Sequence, residues 1–338
     1  MPPEWAPHTR TWMAFPSQGY TLGDTEAEQR EARETWAAVA NAVARFEPVT
    51  MVLTPADREH AAPLLDPRVE LRVAPLDDAW MRDIGPTFVL SPGDSPRLGA
   101  VDWVFNGWGA QPWATWEHDA RVGRLVGELA GAEVVDSPLV NEGGGIHIDG
   151  KGTILLTETV QLGEGRNAHL SKAEVEAELA RCLGATRFVW VPRGLTRDYD
   201  ELGTRGHIDI VACFAPGGEV LLHWQEDERH PDHARCREVE QVLLAATDAD
   251  GEPLRVVHVP APTVLQDDEG WVDYSYINHL VCNGGVVACT FDDPNDERAL
   301  EVLRAAYPGR EVVGVDARPI FARGGGVHCI TQQEPALP

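Results

Sequence analysis

Residues 144–191 read GGIHIDGKGTILLTETVQLGEGRNAHLSKAEVEAELARCLGATRFVWV, and the order of patterns in this stretch carries the expected fold. Two short apolar runs, GGIHID and TILLTE, flank Gly-Lys-Gly, the composition of a tight reversal between strands. A helical segment follows over 171–183. Ser171 and Glu174 have the spacing of a capping box, and Gly184 offers the stop. TRFVWV then reads as a third strand. The same strand–strand–helix–strand order recurs on both sides. Downstream come GHIDIVACF, EVLLHW, a helix over 231–246 and LRVVHV, then YSYINHLV, GVVACT, a helix over 295–307 and EVVGV. Upstream lie PTFVL, AVDWVF, a helix over 116–130 and EVVD.

A fifth copy is split between the ends of the chain. GVHCIT near the C-terminus is expected to pair with TWMAF near the N-terminus, followed by a helix over 26–46 and VTMVL. In that helix Trp36, Val39, Ala40 and Val43 fall at i, i+3, i+4 and i+7. Five units of about 68 residues match the period of blade-like repeats. They predict an α/β fold with units around a central axis and helices outside, one domain over 1–338. An α/β chain of irregular order is the alternative, because the copies share little sequence.

The chain has 54 acidic and 28 basic residues, a formal net charge of -26. Nucleic acid is excluded as a partner, since phosphate binding needs a basic face. Small cations are attracted, although acidity that only maintains solubility explains the charge equally well. No stretch has the apolar length of a membrane span, and the opening MPPEWAPHTRTW has no secretory pattern. The six cysteines (182, 213, 236, 282, 289 and 329) are scattered without a C-x-x-C pair and read as reduced thiols. A cytoplasmic location is expected.

Polar residues recur where the units' first strands begin: Asp83, Glu142, His207 and Cys329, separated by one, one and two units. In radially arranged units such points converge on the axis. Cys329 sits in GGGVHCITQQ, where glycines permit close backbone approach. A nucleophilic thiolate needs a neighbouring base or cation, and His207 in GHIDI is the candidate. Asp209, two residues on, shares its face if the segment is a strand. A lone cysteine beside glycines is more often structural; the convergence of four unit starts favours chemistry. His147 and Asp149 form a second H-x-D, but with His207 and Asp209 they match no compact zinc spacing, so no metal is expected. Strand alternation would turn His328 away from the Cys329 face. The matching GGG-x-H contexts of His147 and His328 predict a shared structural role.

The segments WMRDIGPTFV, NEGGGIHIDGKGT, PRGL, GHID and GGGVHCITQQ, with the opening MPPEWAPHTRTWMAFP and DWVFNGWG, resemble the agmatine deiminase family. This group includes the Porphyromonas-type peptidylarginine deiminases, within the guanidine-modifying superfamily. The resemblance runs from the first residues to the last. It implies a five-bladed α/β-propeller (the pentein fold), a cofactor-free reaction and a homodimer. It also implies Cys329 as nucleophile, His207 as acid–base, Asp83 and Asp209 as guanidinium ligands, and Glu142 as support for His207. Trp80 and Trp108 match aromatic residues near the substrate, with core packing as the plain alternative among 11 tryptophans. Asn278 matches a recurrent family position of unassigned role.

The chemistry suits these residue types. Two carboxylates can each take paired N–H donors of a planar guanidinium, turning its carbon toward sulfur. Asp83 and Asp209 should raise the pKa of Cys329, and with Glu142 that of His207. The implied reaction is hydrolysis of agmatine to N-carbamoylputrescine and ammonia. Alternatives are an arginine or peptidylarginine deiminase, with Arg205 or Arg323 holding the carboxylate or backbone, an amidinotransferase, and a non-catalytic polyamine binder.

Overall fold

Each predicted unit is present as a small sheet. In a computed structural model describing residues 1–338, four three-stranded sheets repeat one order. Ile146–Ile148 runs antiparallel to Thr153–Thr157, with His147 opposite Leu155. Thr153–Thr157 then runs parallel to Arg187–Val191, and the helix Lys172–Leu183 makes the crossover that a parallel pair requires. The same pairing holds for Thr87–Leu90, Leu98–Val104 and Glu133–Val140. It holds for Ala212–Phe214, Glu219–Trp224 and Arg255–Pro260, and for Leu280–Cys282, Gly285–Thr290 and Glu311–Asp316.

The split unit forms as expected. Thr331–Pro335 pairs antiparallel with His8–Ala14, placing Thr331 opposite Met13 and joining the two ends of the chain. His8–Ala14 runs parallel to Val49–Leu53, with the helix Glu26–Val43 between them. A fourth strand, Glu70–Val73, extends this sheet beyond the predicted unit.

Local signals explain the helices. Thr25 and Glu28 form a capping box at the start of Glu26–Val43, whose Trp36, Val39, Ala40 and Val43 are buried as their spacing predicts. Val39 and Val43 each contribute about 1.5–3 kcal/mol through burial. Ser171 and Glu174 form the second box, and Gly184 ends that helix at φ 73, the left-handed region where a glycine carries no Cβ penalty. One core cluster of 67 buried residues links most of the sheets, and a second of 13 lies beneath Lys172–Leu183. No helix is long and apolar enough to cross a membrane.

One expectation fails. The polar residues precede the first strands rather than starting them. Asp83 lies in the helical turn Met81–Ile84, Glu142 precedes the turn Gly143–Gly145, and His207 precedes the turn Ile208–Ile210 that holds Asp209. Asn278 and Cys329 lie in turns at 276–278 and 327–330. The cause is competition for backbone N–H groups. The His207 N–H is taken by the side chains of Asp198 and Thr204, and the Cys329 N–H by Asn278 Oδ1. An N–H so occupied cannot join a strand ladder. Side-chain directions at these points therefore follow turn geometry, and the two-residue face rule does not apply.

Candidate active site

Cys329 is 5% exposed, on a turn held by Asn278. Asn278 Oδ1 accepts from the N–H groups of His328 (2.9 Å) and Cys329 (3.3 Å), while its Nδ2 donates to Cys329 Sγ (3.1 Å) and the Asp209 carbonyl (3.3 Å). Gly325 and Gly326 make this approach possible. A Cβ on Gly326 would sit 2.5 Å from Asn278 Oδ1, and one on Gly325 2.7 Å from the Trp80 ring and 3.0 Å from Cys329 Sγ.

Asp209 touches this turn, and Asp83 lies near enough for its charge to act on the thiol. Asp209 Oδ2 lies 3.4 Å from Cys329 Sγ and 2.8 Å from His328 Nδ1, while its Oδ1 is buried without a hydrogen-bond partner. Asp83 Oδ2 accepts from Trp108 Nε1 (2.9 Å) and Oδ1 from the Gly144 N–H (3.1 Å). Gly144 is required here too, since its Cβ would meet His207 Nδ1 at 2.5 Å.

His207 is buried. Its Nε2 lies 3.3 Å from Glu142 Oε2, and its Nδ1 is 3.9 Å from Asp83 Oδ1 with no hydrogen-bond partner. Behind it, Arg166 Nε donates to both oxygens of Glu142 (3.0 and 3.1 Å), and Arg166 Nη2 donates to the Thr204 carbonyl (2.8 Å).

The electrostatics follow from this geometry. Burial, with the charges of Asp209 and Asp83, pushes the Cys329 thiol well above its ordinary value. Burial would lower His207, but Asp83, Glu142 and Asp209 outweigh it and raise the imidazole to about 9. Burial favours a neutral Glu142, yet the Arg166 charge and the His207 hydrogen bond hold it at about 2. Asp83 is raised to about 6, chiefly by burial. The directions for Cys329 and His207 are those expected from sequence. The resting arrangement is a neutral thiol and an imidazolium, with the carboxylates of Asp83 and Asp209 facing them. A planar cation carrying several N–H donors complements it, and would favour the thiolate on arrival.

Trp80 and Trp108 both line this region. Trp80 packs over Gly325, and its Nε1 donates to Thr21 Oγ1 (3.2 Å). Trp108 adopts φ 56, unusual for a bulky residue, and stacks on Trp113 with ring centroids 5.2 Å apart. A cavity of about 680 Å³ opens beside Trp108, bounded also by Gln111, Arg166, Tyr199 and Arg205.

Other residues differ from the sequence reading. His328 is not turned away: it bonds Asp209, the same carboxylate that faces the thiol. Asp149 caps its own turn, accepting from the N–H groups of Lys151 and Thr153. Arg323 is engaged by the Thr21 carbonyl and Glu31, and Arg205 by the Tyr199 carbonyl and Gln111. Sequence reasoning missed Arg166, Arg82 and Glu4. Arg82 and Glu4 lie inside the quoted segments WMRDIG and MPPEW, and their charges amid apolar residues were the available signal. Arg166, in GEGRNAHL, carries no such pattern.

The sequence pattern of the family described as Porphyromonas-type peptidyl-arginine deiminase matches residues 1–335. A Streptomyces coelicolor protein provisionally named agmatine deiminase is 61% identical, the alignment covering 99% of this chain and 98% of that protein. An agmatine deiminase of Stutzerimonas stutzeri is 41% identical over 99% of this chain and 95% of its own. The solved agmatine deiminase of Enterococcus faecalis superimposes with a TM-score of 0.91 at 32% identity, over 99% of this chain and 95% of that one.

Proposed function

The chain belongs to the Porphyromonas-type peptidyl-arginine deiminase family, and from that premise we propose that it hydrolyses agmatine to N-carbamoylputrescine and ammonia. The observation that carries the reading is the pair of buried, unpartnered atoms, Asp209 Oδ1 and His207 Nδ1, in the cluster around Cys329. One suits a guanidinium N–H and the other a proton transfer.

In this mechanism Asp83 and Asp209 hold the guanidinium plane, and its charge favours ionisation of Cys329. The thiolate attacks the central carbon and a C–S bond forms. His207, as imidazolium, protonates the departing nitrogen, ammonia leaves, and a thiouronium remains on Cys329. Water then attacks the same carbon as His207 takes its proton. The C–S bond breaks, the ureido product departs and the thiol is restored. Glu142 with Arg166 keeps His207 oriented, Asn278 shapes the turn of Cys329, and Trp80 and Trp108 cover the substrate's alkyl chain. No cofactor takes part.

The same reading treats the five sheets as blades of one propeller domain over 1–338, with the five polar turns meeting near its axis. A homodimer in the cytoplasm belongs to this proposal. The relatives' names support agmatine over arginine, and the engagement of Arg205 and Arg323 within the fold agrees.

The test is ammonia release with agmatine, free arginine and an arginine-containing peptide supplied separately. Turnover of agmatine alone, abolished in Cys329→Ala, is expected. Turnover of arginine or peptide would move the substrate, a new guanidine product would mean amidinotransfer, and silence on all three would overturn the reading.

A further inference from the structure

Behind Asp209 runs a second buried chain that the mechanism above does not use. Two turns of matching GGG-x-H pattern, 143–147 and 324–328, bring their histidines to one carboxylate, that of Glu4 in the N-terminal segment. His328 Nε2 lies 2.8 Å from Glu4 Oε1, and His147 Nε2 lies 3.7 Å from Oε2. The other ring nitrogen of His328 is 2.8 Å from Asp209 Oδ2. A ring with a carboxylate oxygen on each nitrogen donates twice as the imidazolium. Arg82 completes the group: Nη1 reaches Glu4 Oε1 at 3.4 Å, and Nε donates to the His328 carbonyl at 3.3 Å. None of these side chains is more than slightly exposed.

We propose that Glu4 is a positioning residue for the guanidine reaction, holding His328 as the doubly donating cation that keeps Asp209 a carboxylate with Oδ1 free for substrate. The kinetic consequence rests on the deiminase reading; the protonation of His328 does not.

The surroundings leave Glu4 no substitute. On the substrate side, the charges of Asp83 and His207 act on Asp209, and Cys329 Sγ lies 3.4 Å from its Oδ2. On the other, a small cavity is bounded by Cys213, His279 and Tyr307, and its only carboxylates are Glu4 and Asp209. Burial pushes Cys213 and Tyr307 up and His279 down to about 4, so these three stay neutral. Burial would also raise Asp209, but the His328 hydrogen bond and charge hold it below its ordinary value.

The sign follows. Burial and Arg82 depress His328, and Glu4 and Asp209 raise it. Replacing Glu4→Gln removes one of the two raising anions, so His328 loses its proton at lower pH. Asp209 then loses its lowering cation and protonates at higher pH. Histidine ring ¹⁵N spectra of the whole chain, with the His328 signal identified from His328→Asn, read the first step. His328 should be doubly protonated near neutral pH in the unmodified protein and neutral in Glu4→Gln. Kinetics with agmatine read the second. About a tenfold loss in kcat/KM carried mainly by KM is expected. The acid limb should move above the value of about 6 at which Asp83 sets it in the unmodified protein, because the buried Asp209 then protonates above Asp83. Glu4→Asp should restore part of both. Glu47→Gln is the control, because Glu47 binds His8, whose Nε2 meets the Glu4 carbonyl at 2.9 Å, and so it disturbs the same segment outside the chain. A His328 that stays doubly protonated in Glu4→Gln, or an equal limb shift in Glu47→Gln, overturns the proposal. Absence of agmatine turnover in the unmodified protein would sink the deiminase reading alone, and the spectra would still decide this one.

Discussion

Two buried chains of the same composition meet at Cys329. One runs Arg166, Glu142, His207, Asp83; the other runs Arg82, Glu4, His328, Asp209. They differ in where they are tight. In the first, arginine grips its glutamate at 3.0 and 3.1 Å, but His207 stands 3.3 Å from Glu142 and 3.9 Å from Asp83, with Nδ1 unpartnered. In the second, arginine is looser at 3.4 Å, while His328 has carboxylates at 2.8 Å on both nitrogens. A histidine with a free nitrogen can exchange a proton with a bound molecule. A histidine saturated on both sides can only hold charge in place. The proposed division of labour, His207 for chemistry and His328 for electrostatics, rests on this difference.

The largest effect that could break the comparison comes from the two histidines themselves. His207→Asn should lower kcat by about 10²–10⁴-fold, the usual contribution of a general acid–base group, while substrate binding persists. If His328→Asn lowers kcat equally with KM unchanged, the division is wrong.

The arginines give the next effect. Arg166→Met leaves Glu142 charged and buried with only His207 for company, and should cost about 3–5 kcal/mol in thermal or denaturant unfolding. Arg82→Met should cost less, because Glu4 still meets two histidines. Equal losses would show that the distances do not rank the two anchors.

The smallest effect concerns the indole on Asp83. Trp108→Phe removes one hydrogen bond to a carboxylate, worth about 1.5 kcal/mol, or roughly tenfold in kcat/KM. Asp83 already stands at about 6, and losing a donor that lowers it moves it further up. Activity should therefore fail at a higher pH on the acid side. An unmoved acid limb would mean that Asp209, with its second chain, sets that limb alone.

Much of this was legible beforehand. The five units, the split pairing of the termini and one capping box follow from periodicity and from Ser171, Glu174 and Gly184, whereas the Thr25–Glu28 box was not read from the sequence. Asp83, Glu142, His207, Asp209 and Cys329 were named from their place in the repeat and from the family resemblance, and the structure brings all five together. The turns were not legible. GHIDI alternates like a strand, yet Asp198, nine residues earlier, takes the His207 N–H. Nor was the role of His328, which the strand rule turned the wrong way.

What the sequence determined by itself is therefore the set of local events: where apolar period changes, where helices begin and stop, and which residue types recur. Those depend on neighbours a few positions apart. What only the tertiary structure decided is which charges face each other. Glu4 and His328 are 324 residues apart in sequence and 2.8 Å apart in space, and Arg166 meets Glu142 across a separate loop. Such pairs leave no spacing to read, because burial makes an ion pair depend on distance and desolvation rather than on chain order.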